Sequence, residues 1–92
     1  MVHAFVLITA EPARIADLAG ELAAVDGVAE VYSVAGDADL VAVIRVRHHD
    51  ELAEVVTRRI FSHPGIVETR TLIAFQAYSR HDLEAMFDLG GT

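Results

Sequence analysis

Four consecutive residues, Gly36-Asp37-Ala38-Asp39, concentrate the chemistry that this chain offers. Glycine admits backbone N–H groups close to a ligand, and two carboxylates within four residues can pair with an ammonium group. An α-amino acid presents both partners: a carboxylate for the N–H groups and an ammonium for the aspartates. The same four residues are also ordinary turn chemistry, because Gly and Asp both favour tight turns. Arg45 and Arg47 share one side of an apolar stretch with Val41 and Val43. A guanidinium there can grip a carboxylate bidentately or pair with a surface acid.

Other chemistries find less support. His3, His48, His49, His63 and His81 show no H-x-x-x-H spacing, so no helix is expected to bring two imidazoles to one metal. His48 and His49 precede Asp50 at a helix start and read as a solvated loop. There is no nucleophile elbow, no phosphate-binding loop and no dinucleotide fingerprint. With no cysteine in the chain, thiolate catalysis, disulfides and cysteine-based metal sites drop out. We expect no catalytic residue, no cofactor and no metal.

The elements that must position the loop follow from periodicity. Val2 to Thr9 is an apolar run with β-branched and aromatic members and reads as a first strand, ending at Glu11-Pro12, where proline suits a first helical turn. Ile15, Leu18, Leu22 and Val25 then form one stripe of an amphipathic helix that stops at Asp26-Gly27. Val28 to Val34 and Leu40 to Arg47 read as a hairpin joined by the Gly36–Asp39 loop. Asp50 can cap a second helix with Leu52, Val55, Val56 and Ile60 as its stripe, stopped by His63-Pro64-Gly65. Ile66 to about Tyr78 reads as the fourth strand. Ser79 and Asp82 have capping-box spacing ahead of Leu83, Met86 and Phe87, so residues 79–92 read as a short C-terminal helical tail.

The order is βαββαβ, and a weak internal echo supports it: Gly27-Val28-Ala29-Glu30 and Gly65-Ile66-Val67-Glu68 each follow a helix. Right-handed crossovers place both helices on one face of a four-stranded antiparallel sheet, a ferredoxin-like α+β fold in a single domain over 1–92. The strands are apolar on both sides. Val2, Ala4, Val6 and Ile8 alternate with Phe5 and Leu7, while Val67, Ile73 and Phe75 alternate with Leu72, Ala74 and Tyr78. A second sheet, giving a dimeric α/β sandwich, would cover the helix-free face; the alternative cover is the C-terminal helix folded back.

Composition bounds the partners. The chain has 92 residues, 53% of them hydrophobic, so one small domain gains from association. Fourteen acids against seven arginines, with no lysine, give a net charge of −7 that repels a phosphate backbone, so direct nucleic-acid binding is not expected. Apolar runs fall well short of a membrane span, and Met1 to Ala10 lacks the basic start of a signal peptide, so we expect a cytoplasmic protein.

At the loop the chain resembles the ligand-binding (RAM) domain of the leucine-responsive/asparagine-regulator (Lrp/AsnC) family. The matching residues run from Val31 to Val43 through Gly36-Asp37-Ala38-Asp39, and again from Pro64 to Leu72. The resemblance covers residues 2 to about 78 and is strongest to short members without a DNA-binding half, many of which continue with a tail similar to Tyr78–Glu84. It implies a sheet-against-sheet homodimer, often built further into an octamer of four dimers, with amino-acid effectors held between neighbouring dimers. By position it implies that Gly36, Asp37, Ala38 and Asp39 line the effector pocket, with Thr69 and Thr71 contributing. The family commonly has an aromatic residue where Ala38 stands, which implies a more open pocket wall here. No segment supplies a helix-turn-helix, so any transcriptional role is expected to be indirect, for instance by co-assembly with a full-length regulator.

Two other readings share the element order. A small dimeric α/β-barrel enzyme, of the monooxygenase or haem-degrading type, needs a buried histidine or polar cavity inside each subunit. An ACT-like regulatory domain typically carries its glycines after strand 1, where this chain has Thr9-Ala10-Glu11-Pro12.

Overall fold

A computed structural model describes residues 1–80. Strand β1 (Val2–Ala10) leads through a single turn at Pro12–Arg14 into helix α1 (Ile15–Ala23). Strands β2 (Val28–Ser33) and β3 (Leu40–Val46) form a hairpin, and helix α2 (His49–Glu54) widens into a π-helical segment at Val55–Ile60 before strand β4 (Ile66–Ala74). The four strands form one antiparallel sheet in the order β2-β3-β1-β4. This is the ferredoxin-like α+β arrangement that the sequence predicts.

The core follows from strand alternation. Ala4, Val6 and Ile8 of β1 and Leu40, Ala42 and Ile44 of β3 are fully buried on one face, beneath Leu18 and Leu22 of α1, Leu52 of α2, and Val55 and Ile60. Helix α1 packs on β2 and β3, and α2 packs on β3 and β1. Burying each of these large aliphatic side chains contributes about 1.5–3 kcal/mol, which places most of the stabilisation in the two central strands and the helices above them.

Both echoed glycines have left-handed backbone, Gly27 at φ 96° and Gly65 at φ 95°. Each carbonyl accepts a hydrogen bond from a neighbouring segment, Gly27 O from Arg45 N at 3.0 Å and Gly65 O from Glu11 N at 2.8 Å. The repeat in sequence is therefore a repeat in structure, since both helix-to-strand turns need the conformation that glycine adopts without strain.

Some boundaries differ from those the sequence predicts. Strand β4 ends at Ala74, not Tyr78, because Ala74 pairs with His3 and β1 begins at Val2, so no partner strand remains beyond that point. Helix α2 begins at His49, with extended His48 as its cap and Asp50 inside the first turn. An acid there still faces the positive end of the helix dipole. Of the C-terminal tail, Arg80 is helical and residues 81–92 lie outside the described residues.

Candidate functional site

The Gly36–Asp39 loop sits where β2 turns into β3, and Asp39 fixes it to the sheet. The Asp39 N–H donates to Ile8 O at 2.9 Å, its carbonyl accepts from Val34 N at 3.0 Å, and its Oδ2 accepts from the Ala10 N–H at 2.9 Å. One aspartate thus ties the loop to the end of β1 through backbone and side chain together. Ala38 is buried against the fold, whereas Gly36 and Asp37 are exposed. Gly36 has φ 125°, and a Cβ added there would meet no atom within 4 Å, so its role is conformational. Among the described residues, the N–H groups of Gly36, Asp37 and Ala38 form no hydrogen bond.

The two threonines lie across the sheet from this loop. Thr69 pairs with Ile8, which pairs on its other side with Leu40, so Thr69 stands two strand spacings from β3, about 9–10 Å. Thr71 pairs with Val6, nearer the other end of β4. It lines an open groove of about 280 Å³ between α2 and β4, with His49, Leu52, Ala53, Val56, Thr57 and Ile73. None of Gly36, Asp37, Ala38, Asp39 or Thr69 lines this groove, so within one subunit the residues implied by the resemblance fall into two separate places.

Sequence reasoning missed the groove. Residues 49, 52, 53, 56 and 57 recur at helical spacing, but Leu52 and Val56 read as core-facing, which conceals the second stripe. What opens the space is Ala53 on the helix and the position of α2 over β3 and β1, which leaves Thr71 and Ile73 of β4 exposed. The hydroxyl of Thr57 donates to Ala53 O at 2.7 Å, a local bond that competes with regular helical pairing at the start of the π segment.

Charged groups elsewhere serve the frame. Arg14 donates to Pro64 O at 3.2 Å and to Glu21 at 2.7 Å, tying the turn before β4 to α1. Arg45 donates to Glu30 at 3.3 Å across the hairpin, so this strand-end arginine pairs with a surface acid. Among the described residues no group of three or more His, Asp or Glu side chains is placed to hold a metal ion.

Known proteins share this fold and sequence. The chain is 33% identical over 75 residues to the HTH-type transcriptional regulator FL11 of Pyrococcus abyssi, an alignment covering 82% of this chain and 49% of the regulator. It thus spans about half the length of the curated relatives it matches. Among solved structures, TTHA0845 of Thermus thermophilus is 48% identical with a TM-score of 0.82, over 87% of this chain and 100% of that one. The feast or famine regulatory protein Rv3291c of M. tuberculosis, solved in complex with L-methionine, is 30% identical with a TM-score of 0.72, over 87% of this chain and 54% of that one. A model of the Lrp/AsnC ligand binding domain matches residues 3–83, nearly the whole described fold, and the chain belongs to that family.

Proposed function

We propose that this domain is an amino-acid sensor that acts in regulation through assembly with other subunits, without catalysis and without binding DNA itself. The observation that carries the reading is the loop. Three N–H groups at Gly36, Asp37 and Ala38 have no partner among the described residues and lie beside two aspartates, on a segment fixed to the sheet by Asp39. The N–H groups suit the carboxylate of an α-amino acid, and Asp37 or the uncommitted oxygen of Asp39 suits its ammonium. The methionine bound by the M. tuberculosis relative supports this ligand class. The separation of the loop from Thr71 within one subunit fits a site completed by a neighbouring subunit. A net charge of −7 opposes duplex DNA.

A thermal-shift screen of the twenty amino acids tests the reading. A ligand at a hundred times its dissociation constant adds about 2.7 kcal/mol to the native state, which is readily seen. Asp39→Asn keeps an oxygen acceptor for Ala10 N–H but removes the charge, so it should fold normally and lose the shift, as a lost desolvated charge partner costs about 2–5 kcal/mol. Asp39→Ala should also lower the melting temperature of the free protein, since it leaves the Ala10 N–H unpaired. That effect would not be expected of a loop lying wholly outside the sheet. Thr71→Val should weaken binding less, by about 0.5–1.5 kcal/mol. In parallel titrations the wild-type chain should leave duplex DNA unbound at physiological salt. The reading fails if no amino acid shifts the wild type at millimolar concentration, or if Asp37→Asn and Asp39→Asn both respond as the wild type does.

A further inference from the structure

The groove between α2 and β4 is open and mostly apolar. Leu52, Ala53, Val56 and Ile73 give it an apolar lining alongside His49, Thr57 and Thr71, and Ile73 remains 48% exposed. At about 280 Å³ and open along one side, it falls below the roughly 300–1,000 Å³ of typical ligand pockets and has the form of a trough that accepts side chains from a packed segment.

The groove lies at the end of the sheet from which the chain leaves. Ile73 pairs with Ala4 and Ala74 with His3, at the start of β1, and His49 opens α2 at the same end. Beyond Ala74 the chain stands away from its own subunit: Phe75 is 102% exposed and Tyr78 is 73% exposed. Arg80 is helical, and the twelve residues after it lie outside the described residues. In that sequence Leu83, Met86 and Phe87 stand at i, i+3 and i+4, the spacing with which an amphipathic helix fills an apolar groove. Leu83 follows Ala74 by nine positions, which allows a reach of up to about 30 Å.

We propose that the C-terminal segment 81–92 of a second copy of this chain occupies the groove, inserting Leu83, Met86 and Phe87 between α2 and β4. A second copy is favoured over the same copy by the connecting residues. Phe75 and Tyr78, through which the chain passes into the tail, stay 102% and 73% exposed, so their own subunit gives these two aromatic side chains little cover. Exchange of tails gives Phe75 and Tyr78 a neighbour and fills both grooves of a pair. The proposal does not rest on the Gly36–Asp39 loop holding an amino acid, although the groove shares Thr71 with that site.

The chain has no cysteine, which makes a cross-linking test clean. Full-length chains bearing Thr57→Cys alone and Met86→Cys alone are co-expressed and oxidised, and the bridged peptides are identified by mass. Tail exchange predicts a covalent two-chain species linked from position 57 to position 86, at least tenfold more abundant than that from an Asp17→Cys control on the exposed side of α1. Placing Thr57→Cys and Met86→Cys in one chain separates the alternatives. An internally bridged single chain, with no linkage in the co-expressed pair, overturns the exchange in favour of the same subunit. No 57-to-86 linkage in either experiment, or one no more abundant than the control, overturns the docking site. Native mass of the unmodified wild type shows independently whether the chain associates at all.

Discussion

Tyr32, Glu30 and Arg45 form a small relay on the outer hairpin, on the sheet face that carries no helix. The Tyr32 hydroxyl donates to Glu30 Oε2, and Glu30 Oε1 accepts from Arg45. The hydrogen bond to Glu30 and the carboxylate's charge raise the Tyr32 pKa above the ordinary tyrosine value, while Arg45 acts weakly in the opposite direction. A raised pKa in the folded state means that the interaction is fully present below the ordinary tyrosine pKa and is lost as pH rises through the raised value. In a Tyr78→Phe background, ultraviolet titration should find Tyr32 ionising above the ordinary value, and Glu30→Gln should bring it down. A wild-type titration at or below the ordinary value would refute the relay. Fifteen positions separate Glu30 from Arg45 in the chain, and only the hairpin register brings them together. The sequence alone therefore leaves Arg45 open between a surface acid and a ligand. Asp39 is similarly half legible: its place in a chemically rich loop is plain, but its hydrogen bond to Ala10, twenty-nine positions away, requires the sheet.

At the scale of elements, the glycines divide by what surrounds them. Gly27 and Gly36 both have positive φ, but a Cβ on Gly27 would lie 2.7 Å from Val55 Cγ2 and 3.3 Å from Val46 Cγ1, whereas one on Gly36 meets nothing within 4 Å. Gly36→Ala should therefore cost backbone strain alone, about 1–3 kcal/mol, and Gly27→Ala should add an overpacking penalty of similar size. Chemical denaturation should rank Gly27→Ala as the more damaging; equal losses would show that close approach to Val55 is unimportant. The elements themselves are legible because hydrophobic periodicity changes from two to about 3.6 and back, with Asp26-Gly27 and Pro64-Gly65 as stops. What periodicity misjudges is the end of β4. The apolar run through Phe75 reads as strand, but a strand lasts only as long as its partner, and β1 offers none beyond Val2. The groove is hidden for the complementary reason: whether a half-buried stripe meets core or open space depends on where α2 lies over the sheet, which spacing along the chain does not encode.

At the scale of the whole molecule, association turns on the sheet face opposite the helices. Strand register brings Phe5 between Val43 and Leu72, and Leu7 beside Val41, with Tyr32 beyond. Phe5 is 39% exposed, Tyr32 50% and Leu72 57%. Arg45, Glu30, Arg70 and Glu68 stand along the same side of their strands, giving an apolar centre with charged neighbours, the form of an interface between two sheets. Phe5 lies near the centre and is the side chain on which association should depend, whereas Phe75 lies past the end of β4 and does not belong to this face. A carboxylate at position 5 would be buried without a counter-ion if two sheets met there, a penalty of several kcal/mol in each subunit of the pair. The wild type should be a dimer or larger at micromolar concentration by native mass spectrometry and sedimentation, and Phe5→Asp should shift it toward a folded monomer by the same measurements, with circular dichroism confirming the fold. Ala16→Asp, on the exposed side of α1, should leave the mass unchanged. A wild type that is monomeric across the micromolar range, or a folded Phe5→Asp variant with wild-type mass, would show that this face is not where the subunits meet.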